Sequence, residues 1–183
     1  MDEGPTIYQV SVSRGGVPKR PVAEAMVDEQ GITIDHQSDR RSHGGISRAL
    51  CLFSLEQIVE LRKEGHDVEP GSTGENVTTL GVDWSKVLPG ARMRLGQEVL
   101  VEITDYASPC WKNAVWFRDG DFNRLNHKVN PGCSRMYAKV LEGGTIRPGD
   151  HIELMGESTA ERLERTAIPV FRWPRDFQQG FDS

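Results

Sequence analysis

Apolar and polar residues alternate from Ile7 to Val12, the period-two signature of a half-buried strand, and the turn-rich Arg14-Gly15-Gly16-Val17-Pro18 closes it. Pro21 to Val27 and Gly31 to Ile34 read as two further strands about an Asp28-Glu29-Gln30-Gly31 turn. A polar loop, Asp35 to Gly45, follows. Ser54-Leu55-Glu56-Gln57 is a capping box, and Leu55, Ile58, Val59 and Leu61 recur at helical spacing behind it until Gly65 stops the helix. Asn76 to Thr79 is strand-like. Gly90 to Leu95 and Gln97 to Thr104 predict a hairpin about Gly96, with Val99, Val101 and Ile103 on one face. Between Lys112 and Val129 the residues Val115, Trp116, Phe122, Leu125 and Val129 suggest a short helix interrupted at Gly120. Met136 to Leu141 and His151 to Met155 predict strands joined by a turn from Gly143 to Asp150, and Thr159 to Thr166 predicts a short charged helix.

Composition narrows the picture. The chain has 183 residues, a length that suits one compact domain and excludes two large ones. It contains 19 glycines and 10 prolines with no G-X-Y period, which implies many turns between short elements and a mainly β, α+β fold. We place one domain over residues 1–156 and a short helical or extended tail over 157–183. The formal charge of −5 argues against a nucleic-acid-coating role, so any basic site must be local. No apolar run approaches the ~20 residues of a membrane helix, and the start Met1-Asp2-Glu3-Gly4-Pro5 lacks signal-peptide character. A cytoplasmic location is expected, and three cysteines, an odd number, argue against a disulfide framework there.

Four constellations carry candidate chemistry. Cys110 follows Pro109 at the end of a strand and precedes Trp111 and Lys112; a neighbouring ammonium favours a thiolate, so the residue reads as a reactive or metal-binding thiol, the alternative being buried packing. Cys51 lies in the apolar run Ala49-Leu50-Cys51-Leu52-Phe53 and reads as core, while Cys133 is undecided. No C-x-x-C pair suggests structural zinc. His43-Gly44-Gly45-Ile46-Ser47-Arg48, after Arg40 and Arg41, offers backbone amides and guanidinium groups to an anion, or is simply a tight turn. Gly71-Ser72-Thr73-Gly74-Glu75-Asn76 offers a carboxylate and an amide to the polar edge of a heterocycle, or Asn76 bonds its own backbone. Arg14, Lys19 and Arg20 are basic, and matter only if the fold brings them to the other three. Glycine-rich, anion-friendly loops at strand ends suit a barrel with a ligand at its mouth.

These segments, in order, resemble the MOSC domain (molybdenum cofactor sulfurase C-terminal domain). The resemblance rests on Ser11 to Gly16 with Lys19-Arg20-Pro21-Val22, on Gly31 to Asp39 leading to His43-Gly44-Gly45 and Arg48-Ala49-Leu50, and on Gly74-Glu75-Asn76-Val77-Thr78. It continues through Gly81-Val82-Asp83, Gly90, Gly96, Ser108-Pro109-Cys110-Trp111-Lys112 and Gly144 to Asp150, covering Ile7 to Leu154. It implies a strand-rich, barrel-like α+β fold with Cys110 in a cleft as a molybdenum ligand. It further implies molybdenum cofactor (molybdopterin), a small N-hydroxylated substrate and a separate electron-donor protein. On this likeness Gly74, Glu75, Asn76 and Lys112 would meet the cofactor, and Arg14, Lys19, His43, Gly44, Gly45 and Arg48 its phosphate. Two other roles stay open: a sulfur carrier holding a Cys110 persulfide from a pyridoxal-phosphate-dependent cysteine desulfurase, and a non-catalytic cofactor-binding module. Assembly as a homodimer also stays open. Longer relatives carry an additional C-terminal helical domain, whereas here only residues 157–183 follow, and no flavin, haem or iron–sulfur motif could supply electrons.

Overall fold

The computed structural model describes residues 4–36 and 45–155. Eleven strands dominate those residues: β1 (Thr6–Val12), β2 (Arg20–Val22), β3 (Ala25–Asp28), β4 (Gly31–Ile32), β5 (Leu50–Ser54), β6 (Val77–Leu80), β7 (Arg92–Leu95), β8 (Val99–Ala107), β9 (Arg135–Glu142), β10 (Gly144–Ile146) and β11 (Ile152–Met155). One α-helix, α1 (Leu55–Lys63), and several 3-10 turns complete them. The mainly β, α+β expectation holds. The predicted helix Thr159 to Thr166 lies outside the described residues.

Eight strands form one sheet in the order β11-β7-β8-β9-β5-β6-β1-β2, and β10, β3 and β4 form a second. The ladder is not closed as a barrel. Strand β11 nevertheless meets the start of β1, through an antiparallel bridge between Thr6 and His151 and through backbone bonds from Ile7 N–H to the Asp150 carbonyl (2.8 Å) and from Ile152 N–H to the Pro5 carbonyl (2.7 Å).

Strand β5 occupies the middle of the sheet, antiparallel to β9 and parallel to β6. Parallel neighbours require a crossover, and α1 provides it. Ser54 caps the helix, its hydroxyl accepting from Gln57 N–H at 3.3 Å, while Ile58 and Leu61 face inward and Val59 of the predicted stripe is exposed. Period-two alternation sends Leu50 and Leu52 into the main core with Val10, Val77, Met93, Val101, Ile103 and Met136. Cys51 and Phe53 therefore emerge on the opposite face. Phe53 packs there with Ile58, Leu61, Val68, Phe117, Leu125 and Cys133, and Cys51 packs with Ala107 and Tyr137.

Three expectations need correction. Pro21 to Val27 is two strands, because the chain leaves the large sheet after Val22 and joins the small one at Ala25; β4 ends at Ile32. The segment Lys112 to Val129 is no α-helix but the 3-10 turns Trp111–Trp116, Arg118–Gly120 and Phe122–Leu125. Positive φ at Asp119 (57°) and Gly120 (71°) prevents a continuous helical ladder, and Val115 and Val129 face outward. The Gly143 to Asp150 turn contains β10, which pairs with β3; a Cβ on Gly143 would stand 2.6 Å from the Val27 carbonyl oxygen, so glycine permits the approach.

Candidate functional site

On the Cys51 face, where β5, β6 and β9 meet the loops before β2 and after β8, the surface opens into a cavity of ≈ 220 Å³. Its lining joins segments far apart in sequence: Gly16, Val17 and Lys19; His36; Arg48 and Cys51; Thr73, Gly74 and Asn76; Ser108 to Asn113 without Pro109; and Arg135 and Tyr137.

The floor is built on Asn76. Its side-chain carbonyl accepts from Cys51 N–H (3.3 Å), and its amide donates to the Ser11 carbonyl (3.2 Å) and to Asp35 Oδ2 (3.0 Å). One short polar side chain thus links β1, β5 and the segment at Asp35. Asp35 also accepts from Ser13 N–H (2.7 Å) and forms an ion pair with Lys19, both side chains being buried. This pairing draws Lys19 from the surface into the cavity wall. The adjoining turn requires glycine at position 71, where φ is +88° and a Cβ would lie 2.5 Å from the Lys19 carbonyl oxygen.

Glu75 sits behind that turn, fully buried. Its carboxylate accepts from Gly71 N–H (2.6 Å) and Thr73 Oγ1 (2.8 Å), so it shapes the loop and does not line the cavity. Burial pushes its carboxyl pKa up, against those hydrogen bonds and the Arg135 charge.

Cys110 begins the Trp111–Trp116 turn and is half-buried. Asn113, 1% exposed, fastens it: the side-chain oxygen accepts from Cys110 N–H (3.2 Å), and the side-chain amide donates to the Thr73 carbonyl (3.2 Å). Arg135 makes a second tie between the same loops, donating through Nη1 to the Thr73 carbonyl and through Nη2 to the Ser108 carbonyl (3.2 Å). Its Nε is buried and has no partner among the described residues. Arg48 stacks over the Tyr137 ring at 5.2 Å. Burial pushes the Tyr137 phenol up to about 12 and the Cys51 thiol up to about 11.

Of the predicted site residues, Lys19, Arg48, Gly74, Asn76, Cys110 and Lys112 line one cavity. Arg14 is exposed and Gly45 precedes the Ile46–Arg48 turn, neither lining it; His43 and Gly44 lie outside the described residues. Sequence reasoning missed Cys51, Asn113, Arg135 and Tyr137. For the last two a signal existed: they stand two apart on a strand, so both face one side, and an arginine within an apolar strand needs a reason. Among the described residues, four that line the cavity, Lys19, Arg48, Lys112 and Arg135, are cationic and none is acidic, in a chain of net charge −5.

Comparison with known proteins gives concordant results. YiiM of Escherichia coli is 29% identical over 161 residues, covering 85% of this chain and 70% of its own length. YflK of Bacillus subtilis is 30% identical over 142 residues, 76% of this chain and 63% of that protein. A Gibberella moniliformis protein described as a reductase is 29% identical over 119 residues, but this chain spans only 20% of it. Among solved structures, YiiM from Geobacillus stearothermophilus superposes with a TM-score of 0.66 at 24% identity, covering 86% of this chain and 78% of that one, a likeness of fold. YiiM from Escherichia coli gives 0.63 at 26% identity, covering 82% and 69%. Residues 39–153, which hold Cys110 and most of the cavity wall, match the family described as MOSC domain, and the chain belongs to that family.

Proposed function

We propose that this protein binds molybdenum cofactor with Cys110 as the thiolate ligand of the metal and reduces N-hydroxylated compounds, using electrons from a separate donor protein. The observation that carries the reading is a half-buried thiol in a cavity whose described lining holds four cationic residues and no acidic one. The residues fit the group: a thiolate is a soft ligand suited to such a metal, and an organic phosphate needs cationic and N–H donors. Arg48 and Lys112 would hold the anionic end, with Lys19 already paired to Asp35 behind them. Bound there, the cofactor supplies a two-electron reduction of the N–O bond. The balance is R–NH–OH plus two electrons and two protons giving R–NH₂ and water.

The chain's own part is to bind and orient. Asn113 and Arg135 hold the Cys110 loop against Thr73, which limits the sulfur's freedom before any ligand arrives. Tyr137, with its phenol near 12, keeps its proton at Oη at neutral pH and stays uncharged beside the reacting end. The rim residue Trp111, 74% exposed, offers an apolar surface to the substrate body.

The test is Cys110→Ser, produced in cells that make the cofactor. Molybdenum and pterin content should collapse, and turnover of an N-hydroxylated substrate with a supplied electron donor should fall at least ~100-fold, beyond the loss typical of supporting residues around a metal. Full cofactor and full activity in the variant overturn the reading. A wild-type Cys110 carrying one extra sulfur atom, without molybdenum, points instead to a persulfide carrier served by a cysteine desulfurase. Cofactor retention without reductase activity from any donor points to a binding module.

A further inference from the structure

Arg135 is 6% exposed, and it has no carboxylate within ion-pairing distance among the described residues. Its polar contacts are the carbonyl oxygens of Thr73 and Ser108, and its Nε has none. Burying a guanidinium without an ion-paired carboxylate is unfavourable, and the two carbonyl dipoles and the more distant charge of buried Glu75 offset only part of that. Lys19, by contrast, is neutralised by Asp35. The guanidinium is also bonded to Ser108, two residues before Cys110, so its positive charge belongs to the reacting end of the cavity.

We propose that Arg135 is a specificity-determining residue that makes the cavity select substrates bearing a carboxylate. The inference rests on the proposed reduction for its kinetic test but not for its binding test. A substrate carboxylate beside Cys110 meets a cation that is already desolvated and held in place by two loops, and it supplies the missing counter-charge. A neutral substrate leaves that charge uncompensated, and a cationic one is repelled.

The binding test uses the protein purified without cofactor and titrated calorimetrically with terephthalate monoamide and with its neutral analogue benzamide. The carboxylate probe should bind at least ~10-fold more tightly, with an affinity that weakens as salt rises. Arg135→Gln should bring the ratio close to one, and Arg135→Lys, which keeps the charge but not the two-carbonyl fork, should retain most of it. The kinetic test compares KM for N-hydroxybenzamide and its 4-carboxy derivative on the loaded enzyme, where the same pattern is expected.

A purely structural Arg135 predicts the reverse: both variants lose both ligands in parallel and the ratio is unchanged. That result overturns the proposal, as does an unaltered preference in Arg135→Gln. If the wild-type enzyme reduces neither N-hydroxy compound, the reading of the reaction fails while the calorimetric ratio still decides the role of Arg135. Loss of cofactor together with both probes from Arg135→Gln and Arg135→Lys alike would make Arg135 a support of the Cys110 loop alone and overturn the proposal.

Discussion

Cys51 and Cys110 line one cavity but stand on different kinds of structure. Cys51 belongs to the central strand, hydrogen-bonded on both sides and 6% exposed, and burial raises its thiol to about 11. Cys110 lies in a loop that leaves the sheet, half-buried, and is held by side-chain bonds from Asn113 rather than by a ladder. The strand wall is hydrogen-bonded on both sides and burial keeps its thiol protonated, whereas the loop wall presents the more exposed thiol. A strand in the middle of a sheet fixes geometry through its ladders, while a loop leaves its side chains nearer to solvent.

The sharpest way to break this contrast is thiol modification. At pH 8 only about one Cys51 in a thousand is ionised, so iodoacetamide followed by peptide mass spectrometry should modify Cys110 at least ~100-fold faster than Cys51. The Cys51 rate should climb ~10-fold per pH unit toward its pKa of about 11, and equal rates for the two thiols would erase the distinction.

Removing bulk from the strand wall comes next. Phe53, fully buried where β5 packs on α1 and the 3-10 segment, should cost ~3–5 kcal/mol on replacement by alanine, measured by urea unfolding. Asn113→Ala acts on the loop wall by leaving Cys110 N–H and the Thr73 carbonyl each short of a partner, and should cost ~1–3 kcal/mol. Faster hydrogen exchange around residues 108–117, with the strands unchanged, is the expected signature. Exchange that rises equally in β5 would show the two walls to be one unit.

A smaller effect concerns Glu75, which supports the turn between the walls. Its carboxyl pKa is raised by burial, so in the window between the unfolded value near 4.5 and the higher folded value the native state holds a proton that the unfolded state has lost. Stability from this group is therefore present below about pH 4.5 and declines as pH rises through the folded pKa. Glu75→Gln cannot titrate, and the difference in unfolding free energy between wild type and variant should move against wild type across that window. A difference that stays constant with pH defeats the assignment. The smallest change is Ser54→Ala, which removes the α1 cap and should cost ~1 kcal/mol in unfolding free energy while leaving Cys110 modification unaltered.

The elements whose partners are local were legible in the linear chain. The Ser54 cap, the Gly96 hairpin and the strand starting at Ile7 each carry their pattern within a dozen residues, and each formed where the pattern said. The Lys112 to Val129 segment misled because its hydrophobic spacing matched a helix, while positive φ at Asp119 and Gly120 broke it into turns. Gly144 to Ile146 looked like a turn because its strand character comes from pairing with β3, more than a hundred residues earlier. In the site, Cys110, Lys19, Arg48 and Asn76 were visible through glycine, proline and charge. Glu75 was visible too, but a charged residue in a glycine-rich turn does not announce whether it faces a ligand or the loop's own amides.

Turn chemistry and period-two patterning made the strand-rich domain legible in the linear chain, because they are properties of neighbouring residues, and the ordered motifs around Lys19, Arg48, Asn76 and Cys110 carried the resemblance to the MOSC family. It took the tertiary structure to show that Cys51 shares the cavity with Cys110, that Asp35 pairs with Lys19, and that Arg135 forms no ion pair among the described residues. Strand order and register bring those groups together across long separations, and burial and charge compensation exist only once they have met.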